Sequence, residues 1–83
     1  MEALRKKIDT IDDILLRLLQ ERITIMKQLG EEKKTLQKPI RDQQRERKKL
    51  LEVEEKAKQL HVPLELVHSM WKSFFEISEK VEK

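Results

Sequence analysis

The feature that most constrains the fold of this chain is a long amphipathic segment from Ala3 to Leu36. Its apolar residues recur in steps of three and four, which places them along one face of an α-helix: Leu4, Ile8, Ile11, Leu15, Leu18, Ile25 and Leu29. A helix of this length would extend about 50 Å, whereas a compact chain of 83 residues has a diameter of roughly 25 Å. The chain cannot cover this face by itself, so the sequence predicts a helical homodimer.

Composition and charge favour helices in the rest of the chain as well. Charged residues make up 42% of the sequence, and the chain has only one glycine and two prolines. This composition is typical of long helices with solvated polar faces. The 19 basic and 16 acidic residues are interspersed, which argues against nucleic-acid binding and weakly for a small anionic ligand. The chain has no cysteine, no long apolar run and a charged N-terminus. We therefore expect a single cytoplasmic domain over residues 1–83, with no disulfide, secretion signal, membrane span or metal site.

The two prolines divide the remaining sequence into shorter helices. Pro39 closes the first helix near Leu36, and Asp42 is suited to cap a second helix that ends near Leu60. Pro63 suits the first turn of a third helix. The short connector predicts that the first two helices pack as antiparallel neighbours. The expected fold is all-α, with one long N-terminal helix and two shorter ones in each chain of an intertwined homodimer.

Each predicted helix carries one polar residue on its apolar stripe: Arg22, Glu46 and Ser78. Burying an unpaired charge is costly, so these residues must pair with each other, bind a ligand or point into water. One interpretation is an Arg22–Glu46 ion pair that fixes the helix register, and the other is a binding site. Lys33 lies eleven residues after Arg22, close to three full turns, so the two cations face the same way about 16 Å apart. Together they could close on a small dianion.

Other residues of the first helix are less specific. Arg5 precedes Arg22 by about 25 Å and faces roughly 100° away, so it either reaches the site of a partner subunit or is an ordinary solvated side chain. A glycine within a helix costs about 0.5–1 kcal/mol of stability relative to alanine. The presence of Gly30 therefore reflects either close helix packing or simple tolerance of this cost. We expect the histidines at the surface and the aromatic residues in the core: His61 and His68, and Trp71, Phe74 and Phe75.

No nucleophile motif, glycine-rich phosphate loop or metal-binding cluster occurs in the sequence. Cations, a carboxylate and a hydroxyl without such groups suit binding, or a reaction that needs only positioning and electrostatics.

Several segments form a more specific combination: Leu4-Arg5-Lys6-Lys7-Ile8-Asp9, Ile11-Asp12, Leu18-Leu19-Gln20-Glu21-Arg22, Lys33, Pro39-Ile40-Arg41-Asp42, Arg45-Glu46, Ser78 and Glu82. The connector motif, Pro-Ile-Arg-Asp followed by Arg-Glu, is its most distinctive part. Together these segments, which span essentially the whole chain, resemble the all-helical chorismate mutases of the AroQ type. The resemblance implies a dimer with two equivalent sites that convert chorismate to prephenate by an intramolecular Claisen rearrangement, without a cofactor.

The resemblance also implies a role for each cation. Arg5 of the partner subunit, Arg22 and Arg45 would hold the two carboxylates of the substrate. Lys33 would bond the breaking ether oxygen and a carboxylate. Because negative charge builds on this oxygen as the bond lengthens, a fixed cation there would stabilise the transition state more than the ground state. Binding both carboxylates would also hold the substrate in its compact, reactive diaxial form.

The remaining roles fall to polar and acidic groups. The Asp42 region and Glu46 would receive the ring hydroxyl, and Ser78 would assist at a carboxylate. Where many family members have glutamine, this chain has Glu82, four residues after Ser78 on nearly the same helix face. A carboxyl group can donate a hydrogen bond to the ether oxygen only when it is protonated. If Glu82 acts there, activity falls as the pH rises and Glu82→Gln flattens the profile; the alternative is a frayed, exposed glutamate.

Two other functions are consistent with the same residues. Isochorismate pyruvate-lyases resemble these mutases, act on a related anionic substrate and need a similar lysine, although the intact connector motif favours the mutase. The second alternative is a non-catalytic, basic helical dimerisation module in which Arg22 and Glu46 form an internal ion pair.

Overall fold

The computed structural model describes residues 1–83 and contains three helices and no strand. The helices are α1 (Glu2–Thr35), α2 (Gln43–Gln59) and α3 (Leu64–Glu82). The prediction of an all-α chain with one long helix and two shorter ones is confirmed. With 34 residues, α1 extends along the longest dimension of the molecule, which measures 52 × 24 × 15 Å.

The helix ends lie close to their predicted positions. Leu36 is the C-cap of α1, and Oδ1 of Asp42 caps α2 by accepting a hydrogen bond from the Arg45 N–H at 3.1 Å. The third helix begins at Leu64, so Pro63 is its N-cap and does not lie in its first turn as predicted. The ψ angle of Pro63 is 131°, which is extended backbone and keeps this residue outside the helix.

Helix α3 packs against both other helices, whereas α1 and α2 do not pack against each other. The prediction that the short connector makes α1 and α2 neighbours is therefore wrong. The reason is that α3 has apolar residues toward both sides. Val67 joins Val53 and Ala57 in a small core with α2, while Ile77 faces an apolar groove shared with α1.

The N-terminal half of α1 has no partner within the chain. Every residue from 1 to 18 is exposed, and the residues of the predicted apolar stripe are between 40% exposed, at Leu29, and 64% exposed, at Leu4. Only Met26 and Gly30 of this helix are buried. The single chain therefore leaves exposed the apolar face of α1 that the sequence predicts a second chain to cover. None of the three helices combines the length and apolar character needed to span a membrane.

Candidate active site

A cavity of about 280 Å³ lies where the C-terminal half of α1, the connector, the start of α2 and the end of α3 meet. Its lining contains every predicted site residue except Arg5: Arg22, Lys33, Asp42, Arg45, Glu46, Ser78 and Glu82. Arg5 lies near the opposite end of α1, where its exposed side chain is 4.0 Å from the Glu2 carboxylate. One chain thus brings together all of the candidate residues but one.

Glu82 and Lys33 are in direct contact in the lining of this cavity. The Lys33 Nζ lies 2.7 Å from Oε1 of Glu82 and donates a hydrogen bond of 2.6 Å to the carbonyl oxygen of Ile40. The Ser78 hydroxyl donates to the other Glu82 oxygen, Oε2, at 2.6 Å. Oε1 itself receives no aligned hydrogen bond, so its contact with Lys33 is an ion pair. Glu82 is only 3% exposed, which contradicts the alternative of a frayed, exposed glutamate.

Gly30 accounts for the close approach of α3 to α1 at this point. A Cβ atom at Gly30 would lie 2.7 Å from the Cα of Glu82 and 2.9 Å from its carbonyl oxygen. These distances are shorter than any van der Waals contact allows, so only glycine fits here without a shift of the backbone. Close helix packing is therefore the correct explanation of this glycine, and simple tolerance is not.

Arg22 lies on the same side of α1 as Lys33 and lines the cavity. Its guanidinium carbon is 4.2 Å from the centroid of the Phe74 ring, a cation–π contact, and its Nη1 lies 4.0 Å from the Met26 sulfur. Partial burial lowers the pKa of Arg22, because desolvation disfavours the charged form. No carboxylate of the chain lies within ion-pair distance of it, so the interpretation of an Arg22–Glu46 pair is wrong.

The partner of Glu46 is Arg41, a residue of the connector. The Arg41 Nε donates to both Glu46 oxygens, at 3.1 and 3.0 Å, and its Nη1 donates to Oε2 of Glu79 at 3.1 Å. The hydrogen bond with Glu46 is the largest of the effects that raise the pKa of Arg41. Arg41 thereby ties the connector to α2 and α3 and fixes the orientation of the Glu46 carboxylate at the cavity.

Sequence reasoning did not select Arg41 or Glu79 as site residues. Arg41 stands inside the connector motif, five residues before Glu46, and this spacing across a helix start was a usable signal for their pairing. Glu79 directly follows Ser78, but no sequence pattern relates it to Arg41. The aromatic residues also differ from expectation. Phe74 and Phe75 are only half-buried and line the cavity, and so they are not simply core residues.

The charges around the cavity are unevenly paired. Arg41 and Lys33 contact glutamates of the chain, and the Asp42 carboxylate is engaged as the cap of α2. Arg22, Arg45 and Lys49 line the cavity without a carboxylate within 4.0 Å, and they leave a cationic wall suited to a dianion. The only hydroxyl among the predicted site residues, that of Ser78, donates to Glu82 and has no neighbouring base to activate it as a nucleophile.

The histidines lie outside this site, as the sequence predicts. His61 is exposed. His68 is also exposed and its Nε2 lies 2.8 Å from Oε1 of Glu54, on the α2–α3 surface. The chemistry available to the cavity is therefore that of cations, carboxylates, one hydroxyl group and aromatic rings.

Comparison with known proteins agrees with this arrangement. The model of the family described as chorismate mutase type II matches residues 4–83. No curated protein and no solved structure matches the chain. The matched region includes all three helices almost entirely and every predicted site residue, Arg5 among them. The chain therefore belongs to the type II chorismate mutase family, as the resemblance of its sequence motifs had indicated.

Proposed function

We propose that the chain is a chorismate mutase, which isomerises chorismate to prephenate in a single intramolecular rearrangement. The observation that carries this proposal is the convergence of Arg22, Lys33 and Arg45 on one cavity in a chain of the mutase family. Chorismate has two carboxylates and an ether oxygen that becomes negatively charged during the reaction. Three cations held on a partly apolar wall match these three groups.

Lys33 is the residue that would act on the breaking bond. As the bond between carbon and the ether oxygen lengthens, a cation beside this oxygen gains more interaction energy in the transition state than in the ground state. The hydrogen bond from Lys33 to the Ile40 carbonyl and its contact with Glu82 limit the movement of its Nζ. Because the ammonium group is already oriented, little reorganisation is needed when the substrate binds.

Arg22 and Arg45 would hold the two carboxylates of the substrate. The Phe74 ring restricts the position of the Arg22 guanidinium. Arginine can bind a carboxylate through two parallel hydrogen bonds, which fixes orientation as well as position. Holding both carboxylates keeps the substrate in its diaxial form and converts binding energy into orientation of the reacting carbons.

The acidic and hydroxyl groups complete the site. Glu46, oriented by Arg41, would accept a hydrogen bond from the ring hydroxyl together with the Asp42 region, and Ser78 would assist at a carboxylate. Both Glu82 oxygens face donors, Lys33 and Ser78. Glu82 must take up a proton before it can itself donate to the ether oxygen.

The proposal includes a homodimer in which Arg5 of the partner subunit completes each site. Two observations support it: the apolar stripe of α1 is exposed along its whole length, and Arg5 is too far along α1 to reach the cavity of its own chain. The finer assignments to aromatic amino acid biosynthesis and to the cytoplasm are part of the same proposal. They follow from the identity of the product, prephenate, and from the composition of the chain.

The test is the loss of the ultraviolet absorbance of chorismate on addition of the purified protein, in parallel with two variants. Lys33→Ala is expected to lower kcat/KM about 100-fold or more, because it removes the charge at the ether oxygen. Lys34→Ala is the matched control, since Lys34 is the adjacent lysine and its exposed side chain pairs with the exposed Glu31. Its activity should stay within about twofold of the unmodified chain, because exposed ion pairs contribute little.

Two outcomes would contradict the proposal. If the folded, dimeric protein consumes isochorismate and releases pyruvate while leaving chorismate unchanged, the site is that of a lyase. If neither substrate reacts and no cyclic dicarboxylate binds, the chain is a helical dimerisation module.

A further inference from the structure

A close contact between the backbones of α1 and α3 lies one helical turn from the candidate catalytic lysine. Gly30 meets the backbone of Glu82, where a Cβ atom would approach the Cα of Glu82 to 2.7 Å and its carbonyl oxygen to 2.9 Å. Lys33 follows Gly30 by three residues, so the two lie on the same face of α1. One face of α1 thus provides both the space for the Glu82 backbone and the charge that binds its carboxylate.

We propose that Gly30 is a positioning residue of the active site, which places the Glu82 carboxyl group against Lys33 and Ser78. The inference rests on the proposed mutase function and assigns to Gly30 a role in that same site. Glu82 lies in the final turn of α3, where few other contacts hold a helix in place. Its two oxygens are nonetheless fixed, at 2.7 Å from the Lys33 Nζ and 2.6 Å from the Ser78 Oγ. The absent side chain at Gly30 permits this geometry.

The contact cannot be relieved by a change of rotamer. The two closest atoms, Cα and the carbonyl oxygen, belong to the backbone of Glu82, and even the Cβ of Glu82 lies at 3.0 Å. A methyl group at position 30 must therefore displace the last turn of α3. Since Gly→Ala within a helix otherwise increases helix stability, any loss caused by this substitution has to come from the contact with Glu82.

The decisive experiment is a double-mutant cycle on chorismate turnover with Gly30→Ala, Glu82→Ala and both together. If Gly30 acts through Glu82, each single substitution lowers kcat about 10- to 100-fold, the usual effect of misplacing a group that acts in the transition state, with a smaller change in KM. The double variant should then be within about twofold of the more impaired single variant. Glu31→Ala is the control, because Glu31 is the next residue on α1 and is exposed; it should leave kcat unchanged.

A second measurement does not depend on activity. In the protein labelled with carbon-13, Lys33→Met should shift the carboxyl signal of Glu82, because it removes the ammonium group 2.7 Å away. In a chain that also carries Gly30→Ala, the same substitution should leave this signal unchanged. If the unmodified chain does not act on chorismate, the proposed function fails while this comparison still decides the role of Gly30.

Three results would overturn the inference. The first is a double variant whose loss of kcat equals the product of the losses of the two single variants, which would show that Gly30 and Glu82 act independently. Another is a Glu82 signal that still responds to Lys33→Met after Gly30→Ala. The third is global unfolding of Gly30→Ala, seen as loss of helical circular dichroism, because the glycine would then support the whole fold instead of the position of one side chain.

Discussion

Lys33 and Glu82 join α1 to the end of α3 through an ion pair in which Nζ and Oε1 are 2.7 Å apart and the Glu82 side chain is 2% exposed. Removing one partner of a buried pair leaves the other charge without compensation, whereas removing both charges avoids this cost. We therefore expect Lys33→Met to destabilise the protein by about 1–3 kcal/mol and Glu82→Gln to restore part of this loss in the Lys33→Met background. Urea unfolding at one fixed chain concentration measures both changes. Simple additivity of the two substitutions would contradict the coupling.

A second prediction concerns hydrogen-bond donation by residue 82. The Lys33 ammonium group pairs with Oε1 of Glu82 and the Ser78 hydroxyl donates to Oε2. A carboxylate held in this way has no proton to donate to the ether oxygen of the substrate. If residue 82 acts as a donor to this oxygen, Glu82→Gln should therefore raise kcat, because its amide group donates without taking up a proton. A kcat for Glu82→Gln as low as that of Glu82→Ala, measured by steady-state kinetics, would exclude residue 82 as the donor.

The contact between Arg22 and Phe74 leads to a third prediction. Phe74→Leu removes the ring that lies 4.2 Å from the guanidinium carbon but keeps an apolar side chain. A cation–π contact at a half-exposed position corresponds to about a 2–5-fold effect, which we expect in KM for chorismate more than in kcat. Phe75→Leu serves as the comparison, since Phe75 lines the same cavity without a cation over its ring. An equal effect of the two substitutions would argue that only cavity shape matters.

Arg41 provides a fourth prediction because it orients Glu46 without being one of the substrate-binding cations. Arg41→Ala should lower kcat/KM about tenfold, through loss of orientation of the Glu46 carboxylate. Arg41→Lys should recover little of this loss, since an ammonium group cannot reproduce the two hydrogen bonds from one planar group. Glu79→Gln, which weakens only the other contact of Arg41, should have a smaller effect. Steady-state kinetics of the three variants separates these cases.

The fifth prediction tests the proposal that each site of a homodimer is shared between its two chains. If Arg5 acts in the site of its partner, Arg5→Ala and Arg22→Ala are each nearly inactive as homodimers. When the two variants are unfolded and refolded together, half of the dimers contain one chain of each kind and therefore one intact site, so about a quarter of the original activity should return. No recovery despite mixed dimers, verified by mass spectrometry of the intact complex, would place Arg5 outside the partner's site.

The sequence predicted the helices well because their signals are local. Apolar spacing, the Asp42 cap and the two prolines determine where each helix begins and ends, and these signals do not depend on the rest of the fold. The neighbours of each helix could not be predicted in the same way. Which helices pack together depends on the total apolar surface that each pair can bury, and α3 proved to be the partner of both others.

The site was predicted in part for a similar reason. A charge on an apolar stripe, as at Arg22 or Glu46, is visible in the sequence as a residue that needs a partner. The identity of the partner is not visible, because it depends on rotamers and on distances between elements. Glu46 pairs with Arg41 of the connector, and Arg22 has an aromatic neighbour from α3. The close contact at Gly30 likewise requires the position of α3, which no pattern within α1 contains.

The order of the helices along the chain has a consequence for synthesis on the ribosome. Contacts between helices all involve α3, which emerges after α1 and α2. Until then, the two earlier helices have no tertiary partner, and isolated helices of 34 and 17 residues depend on their own propensity. Since Glu82 is made after every other candidate residue, we expect the nascent chain to acquire its binding cavity only after α3 has left the ribosome. The apolar stripe of α1, which α3 leaves exposed, would be available to molecular chaperones until a second chain covers it.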